Sequence, residues 1–344
     1  MLAQRYPDAY DGIAAAAPGI NWGELIPGAS WAQAMMNVIQ EFPYPCEFEA
    51  LTAAAVAKCD PLDGITDGLI SDPDACQFDA FRLVGATINC TQTGKNMKIS
   101  ETAAYIANLT WTGLTTVDGR HLWYGPDYQA RLTGNPTLAK TTSDLGYAMT
   151  TCSANGTCAG MDTGLGEAWL KYWVTKDPTF KMADIKSQQE FSELFHASVQ
   201  QFGSMVGTAD PDLSALRNAG GKIITYHGLA DGLIPVKGTT DYYDKASDIT
   251  PDIHDFYRYF KVPGLAHCSG GNGGQPTAAF QALVDWVENG VSPEVLPISF
   301  QDKNGIQNNR ILCPYPQIAH LKSDDGDVTK EDSFECVSAT ISEL

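Results

Sequence analysis

Lys222-Ile223-Ile224-Thr225-Tyr226-His227-Gly228-Leu229-Ala230-Asp231-Gly232 is the stretch that decides the fold. Its first residues are mostly β-branched or aromatic, and the run opens into a polar, glycine-bearing loop. That pattern predicts a short strand over 222–226 that opens into a polar loop at His227. A second strand, Phe256-Tyr257-Arg258-Tyr259-Phe260-Lys261-Val262, runs into Pro263-Gly264-Leu265-Ala266-His267. Between them a helix is expected over 238–246. After a glycine-rich loop comes an amphipathic helix over 277–288, with Phe280, Leu283, Val284 and Val287 at helical spacing. Strands alternating with helices predict an α/β fold with a largely parallel sheet.

Working outward, the amino-terminal residues read as the end of a helix before Pro7. A small-residue strand follows, Asp11-Gly12-Ile13-Ala14-Ala15-Ala16-Ala17, stopped by Pro18-Gly19. Such small residues suit a buried strand closely covered by helices. From residue 22 to about 216 regular alternation disappears, and turn residues, Trp, Tyr and six of the nine cysteines crowd in. This segment reads as an insertion with local helices around 47–57 and 166–174. Three parts are expected: core at 1–21, an inserted lid at 22–216, and core again at 217–344.

Asp231 and His267 each sit just past a predicted strand, at the edge where open α/β sheets gather their catalytic groups. Enzymes of the α/β-hydrolase fold carry Ser, then Asp or Glu, then His in chain order. The pair matches the last two members in order and context. The His would take the serine proton, and the Asp would hold the imidazole and stabilise its charged form. Taken singly, an Asp in an Asp-Gly turn is a turn former and a loop His is filler. The case rests on the two together. No GxSxG elbow accompanies them. Gly203-Ser204 lacks the second Gly. Ser269 lies two residues after the base, and no helix follows directly.

A second constellation is Cys59-Asp60-Pro61-Leu62-Asp63-Gly64-Ile65-Thr66-Asp67-Gly68-Leu69-Ile70-Ser71-Asp72-Pro73, closed by Cys76. Asp60, Asp63 and Asp67 fall at spacings of three and four between glycine turns. Such a loop is either a solvated acidic turn or a site for a hard cation such as Ca²⁺. It is not an EF-hand. A Cys59–Cys76 disulfide would close the loop and pre-order its ligands, which favours the metal.

The formal net charge is −19, which argues against nucleic acid and anionic membrane surfaces as partners. No apolar run approaches the length of a membrane span. The nine cysteines form no paired CxxC pattern, and sequons stand at Asn89, Asn108 and Asn155. Together these point to an oxidising, secretory compartment. The first residues, Met1-Leu2-Ala3-Gln4-Arg5-Tyr6-Pro7, have no apolar signal region, and nine is an odd number. The expectation is that the sequence begins late.

The chain resembles the tannase and feruloyl esterase family of fungi and bacteria. The likeness lies in 3–13 through Pro18-Gly19, in the Cys59–Pro73 loop, and in Tyr226–Pro235 paired with Pro263–Gly271. Cys313-Pro314-Tyr315-Pro316 adds to it. The resemblance implies an α/β-hydrolase core, here without its first strands and nucleophile elbow, and a large inserted lid. It implies Asp231 as triad acid and His267 as triad base. It also implies a structural Ca²⁺ held by the carboxylates of Asp60, Asp63 and Asp67 and the carbonyls of Ile65 and Leu69. The family's nucleophile lies in a Gly-Cys-Ser-x-Gly-Gly motif before the segment that opens this sequence, and its cysteine would pair with Cys268. The substrate implied is a phenolic ester, free or in the plant cell wall, hydrolysed through an acyl-enzyme. Residues 1–344 alone are expected to be inactive. The alternative is a non-catalytic, calcium-stabilised product that binds phenolic or polysaccharide ligands. Proximity suggests Cys152–Cys158 and Cys313–Cys336 disulfides, and elimination leaves Cys46 with Cys90.

Overall fold

The strand read at Lys222 runs over Lys222–Gly228, between parallel neighbours Gly12–Ala16 and Tyr257–Val262. These facts come from a computed structural model that describes residues 1–134, 145–153, 156–161, 163–323 and 325–338. Successive side chains of a strand point to opposite faces. Ile223, Tyr257 and Tyr259 therefore join one apolar cluster, with Tyr242, Tyr243 and Ala246 of the helix Val236–Ile249. Ile224, Phe260 and Val262 join the other, with Leu283 and Trp286 of the helix Ala279–Asn289. The strands Lys222–Gly228 and Tyr257–Val262 are thus covered on both faces, as their apolar residues require. Gly12–Ala16, at the edge of the sheet, is only half-buried with Ala14 exposed, so the fully buried strand expected there is not what forms.

The helix Ala279–Asn289 corrects one expectation. Ala279, Leu283 and Trp286 form its buried face, while Phe280 is 67% exposed. The i, i+4, i+7 row that meets the sheet passes through Trp286, so Phe280 falls one position outside it. Beyond this helix, two antiparallel hairpins pair Leu296–Gln301 with Gln307–Leu312 and Gln317–Leu321 with Phe334–Ser338.

Residues between Leu25 and Phe202 supply a separate apolar cluster, the largest in the molecule. Its helices include Trp22–Ala29, Trp31–Ile39, Pro45–Cys59, Glu101–Thr112 and Gln188–Val206. The helix begun at Leu165 passes into a π-helical turn over Leu170–Val174. Trp31, Trp111, Trp123 and Trp169 are buried in or against this cluster, so these aromatics are core rather than pocket wall.

Four disulfides form: Cys46–Cys90, Cys59–Cys76, Cys152–Cys158 and Cys313–Cys336. Cys268 is the unpaired thiol among the described residues. Asn89 and Asn108 are exposed; Asn155 lies outside the described residues. No described helix is long and apolar enough to cross a membrane.

Gly228 ends the middle strand where the chain must pass another loop. A Cβ there would stand 2.0 Å from the Leu265 carbonyl oxygen and 2.8 Å from that of Ala266. Backbone cannot step aside as a side-chain tip can. Gly228→Ala is therefore expected to destabilise the protein by about 3 kcal/mol, the upper end for overpacking. Urea denaturation of the two proteins measures it; a loss below 1 kcal/mol would mean the loops are not held this closely.

Candidate active site

The sheet's hydrogen bonding continues past its regular strands. Gly228 is in register with Val262. Leu229 then donates its N–H to the Val262 carbonyl at 2.9 Å, and Ala230 donates to Leu265 at 3.0 Å. The two loops are thereby tied to each other one residue before Asp231 and two before His267. The second loop folds back on itself. Asn272 and Gly273 both donate to the Gly264 carbonyl, and Ala266 donates to Gly270. Gly264, Gly270 and Gly271 take φ of 69°, 74° and 82°, a region that glycine enters at little cost. Cys268 enters it too, at φ 59°, directly after His267.

These constraints bring Asp231 and His267 together across 36 residues of sequence. His267 Nδ1 lies 2.9 Å from Asp231 Oδ2. A carboxylate only accepts, so Nδ1 carries a proton, and in the neutral ring Nε2 presents its lone pair. The Asp231 side chain is 1% exposed and that of His267 16%. The carboxylate is sealed from water while the imidazole keeps one accessible side. Cys268 Sγ stands 3.9 Å from Nε2 and 3.6 Å from the Ala16 carbonyl at the end of the first strand.

Asp231 has more partners than the sequence reading assigned. Its Oδ1 accepts the N–H groups of Leu233 and Ile234 at 2.8 and 2.9 Å. Its Oδ2 also faces His227 Nε2 at 3.1 Å. Burial opposes ionisation of this carboxyl, but hydrogen bonds from His227 and His267 overcome that and hold it well below the usual carboxylate range. His227 was legible only as part of His-Gly-x-x-Asp. Its inward direction follows from strand alternation, and its i, i+4 spacing to Asp231 was the available signal.

The acidic loop follows the helix Pro45–Cys59 as a 3₁₀ turn over Asp60–Asp63, then turns at Gly64 and Gly68, each at φ 88°. Asp60 is 5% exposed and accepts the N–H groups of Asp67 and Gly68 at 3.0 and 2.9 Å. Asp63 accepts from Ile65 N–H and Asp67 from Leu69 N–H. Burial pushes Asp63 up to about 6, with repulsion from Asp67 and Asp60 adding to it. Burial also raises Asp67, against the Arg310 guanidinium 3.3 Å away. The loop thus packs three carboxylates against one cation. Hard oxygen donors of this kind are those that Ca²⁺ takes. Among the described residues, however, no three acidic, His or Cys side chains converge on one point. Gln129 joins the two constellations. It exchanges hydrogen bonds with the backbone of Ile70 and accepts the Gly264 N–H at 3.2 Å. A cavity of about 550 Å³ lies between the helix Pro45–Cys59 and the loops that carry Asp231 and His267, lined by Thr52, Val56, Leu132, Ala230, Ala266 and Gly271 among others.

Comparison with known proteins gives this geometry a context. A family profile described as tannase and feruloyl esterase matches residues 1–337. A probable feruloyl esterase of Arthroderma benhamiae is 33% identical, the match covering 97% of this chain and 60% of that protein. A mono(2-hydroxyethyl) terephthalate hydrolase of Piscinibacter sakaiensis is 30% identical over 98% and 61%. The solved tannin acyl hydrolase of Aspergillus niger superimposes with a TM-score of 0.84 at 24% identity, over 98% of this chain and 62% of that one. The fold is that of the α/β-hydrolases. The chain spans about three fifths of the length of the curated relatives it matches.

The Asp231 carboxyl yields a pH dependence. Its folded pKa lies below the unfolded value of about 3.9. Its contribution is therefore fully present above pH 4 and is lost as pH falls through the lower, folded value. Asp231→Asn should cost about 2 kcal/mol at pH 7, and the gap to the unsubstituted chain should narrow at pH 3. Denaturant titrations at both pH values test this; a gap that widens on acidification would refute the assignment.

Proposed function

The chain belongs to the tannase and feruloyl esterase family, and from that premise we propose that it forms the acid–base part of a serine ester hydrolase acting on phenolic acid esters. The observation that carries the reading is the 2.9 Å contact between His267 Nδ1 and Asp231 Oδ2. It leaves Nε2 able to accept a proton. A serine hydroxyl beside Nε2 would lose its proton as its oxygen attacks the ester carbonyl. The imidazolium, held against Asp231, would return that proton to the departing alcohol. Water would then repeat the cycle on the acyl-enzyme and release the phenolic acid.

The 344 residues contain no GxSxG elbow. The proposal therefore places the nucleophile outside residues 1–344, and residues 1–344 alone turn over no ester. Cys268, adjoining the base, is the thiol that would fasten a neighbouring nucleophile segment to it. Supplying such a segment upstream should give hydrolysis of methyl ferulate or methyl gallate. In such a chain His267→Ala and Asp231→Asn should each lower kcat about 10³- to 10⁴-fold. Turnover unaffected by either substitution would overturn the reading.

The acidic loop is proposed as a structural Ca²⁺ site. The carboxylates of Asp60, Asp63 and Asp67 and the carbonyls of Ile65 and Leu69 would hold the ion. Bound there, it would neutralise buried negative charge and brace the loop that Gln129 ties to Gly264. Its role would be stability rather than a step in the chemistry. Chelation with EGTA should lower Tm by about 4 °C or more, reversibly on adding Ca²⁺. An Asp63→Asn chain should lose most of that response. An identical Tm with EGTA and with Ca²⁺ would exclude the site. The four disulfides and the exposed sequon asparagines Asn89 and Asn108 support a secreted protein.

A further inference from the structure

His227 is wholly buried, at 0% exposure, and every polar atom of its ring is engaged. Nε2 faces two acceptors, Asp231 Oδ2 and the Ile234 carbonyl, each at 3.1 Å. Nε2 must therefore carry a proton. Nδ1 lies 2.8 Å from the Thr239 hydroxyl, itself 1% exposed, in the first turn of the helix Val236–Ile249. With the ring proton on Nε2, that hydroxyl donates to Nδ1.

We propose that His227 and Thr239 are positioning residues for the catalytic acid. Thr239 fixes the tautomer and plane of the His227 ring, and His227 Nε2–H fixes the Asp231 oxygen that meets His267. The four donors around Asp231 divide the work. Leu233 and Ile234 N–H groups hold Oδ1, and with it the position of the side chain. The two imidazoles share Oδ2, so His227 sets how the carboxylate is turned and how basic that oxygen is. A core histidine that merely fills space would have no reason to spend its N–H on the oxygen the base uses.

This inference rests on the reading of Asp231 and His267 as acid and base, and its test separates the two. Histidine-selective ¹⁵N NMR on the 344-residue chain reports the tautomer of each ring and the titration midpoint of His267. Among the described residues, the thiol of Cys268 and the phenol of Tyr147 stand near. Burial raises both the Cys268 thiol and the Tyr147 phenol, so neither is charged between pH 5 and 8. Within that window the His267 midpoint reports chiefly its carboxylate partner. In the unsubstituted chain His227 is expected to show the Nε2–H tautomer. His227→Leu leaves Oδ2 with a single donor and a stronger attraction for the His267 proton. The His267 midpoint should rise by about half a pH unit or more. His227→Gln, which restores an N–H donor, should return it most of the way. A purely structural role would lower Tm in both variants and leave the midpoint in place. That result, or an Nδ1–H tautomer at His227 in the unsubstituted chain, overturns the proposal even if the leucine variant fails to fold. Asp231→Asn serves as the control. If it leaves the His267 midpoint unmoved, the acid–base reading itself fails.

Discussion

Two backbone hydrogen bonds just beyond the parallel sheet govern the rest of the site: Leu229 N–H to Val262 and Ala230 N–H to Leu265. They extend the pairing of two strands into the loops that follow, so that a turn and a glycine-rich loop move as one piece. Side chains from chain positions 36 residues apart then meet with little further ordering to be done. The close approach has a steric condition. Gly228 lies so near the Leu265 carbonyl that no Cβ fits. The glycine at 228 is thus a packing requirement, independent of backbone conformational freedom.

Much of this was readable from residues alone because the signals are local. β-branched and aromatic runs fixed the strands, and a polar loop after each marked the sheet edge. Asp231 and His267 emerged as a pair because both stood at that edge. Phe280 was misread because a helical period fixes which residues share a face but not which face meets the sheet. Trp286, left out of the pattern, decides that by filling the contact. His227 was overlooked for a different reason. It sits inside the strand, where a histidine reads as filler, and its role depends on Thr239, which arrives from the next helix. The link through Gln129 was likewise out of reach, since its partners lie 59 and 135 residues away.

The acidic loop shows how a local motif acquires a nonlocal purpose. Asp60 organises the loop by accepting two of its own N–H groups, leaving Asp63 and Asp67 half-buried near each other. Arg310, arriving from a distant hairpin, stacks its guanidinium 4.6 Å from the Phe334 ring and reaches Asp67 at 3.3 Å. Burial depresses Arg310 as it raises Asp67, so desolvation outweighs the attraction on both partners. Such a pair orients the hairpin against the loop more than it stabilises it. A disulfide, a buried carboxylate template and this pair fix the loop's shape, and Gln129 passes that shape to the backbone before His267.

Asp231 and His267 divide their exposure unequally. A carboxylate sealed from water would ordinarily resist ionisation, and here four donors reverse that preference. None of the four comes from solvent, so the negative charge is available without reorganisation when a proton reaches His267. His267 has the opposite surroundings. In the proposed role it would exchange protons with a partner arriving from outside, and its remaining exposure lies on a ring whose other nitrogen already meets Asp231. Donors that hold the acid are drawn from a turn, a strand interior and a loop, all anchored to the sheet's carboxyl edge. The sheet therefore does more than support the site: the same edge that ends the strands determines which of the two residues stays charged and which stays accessible.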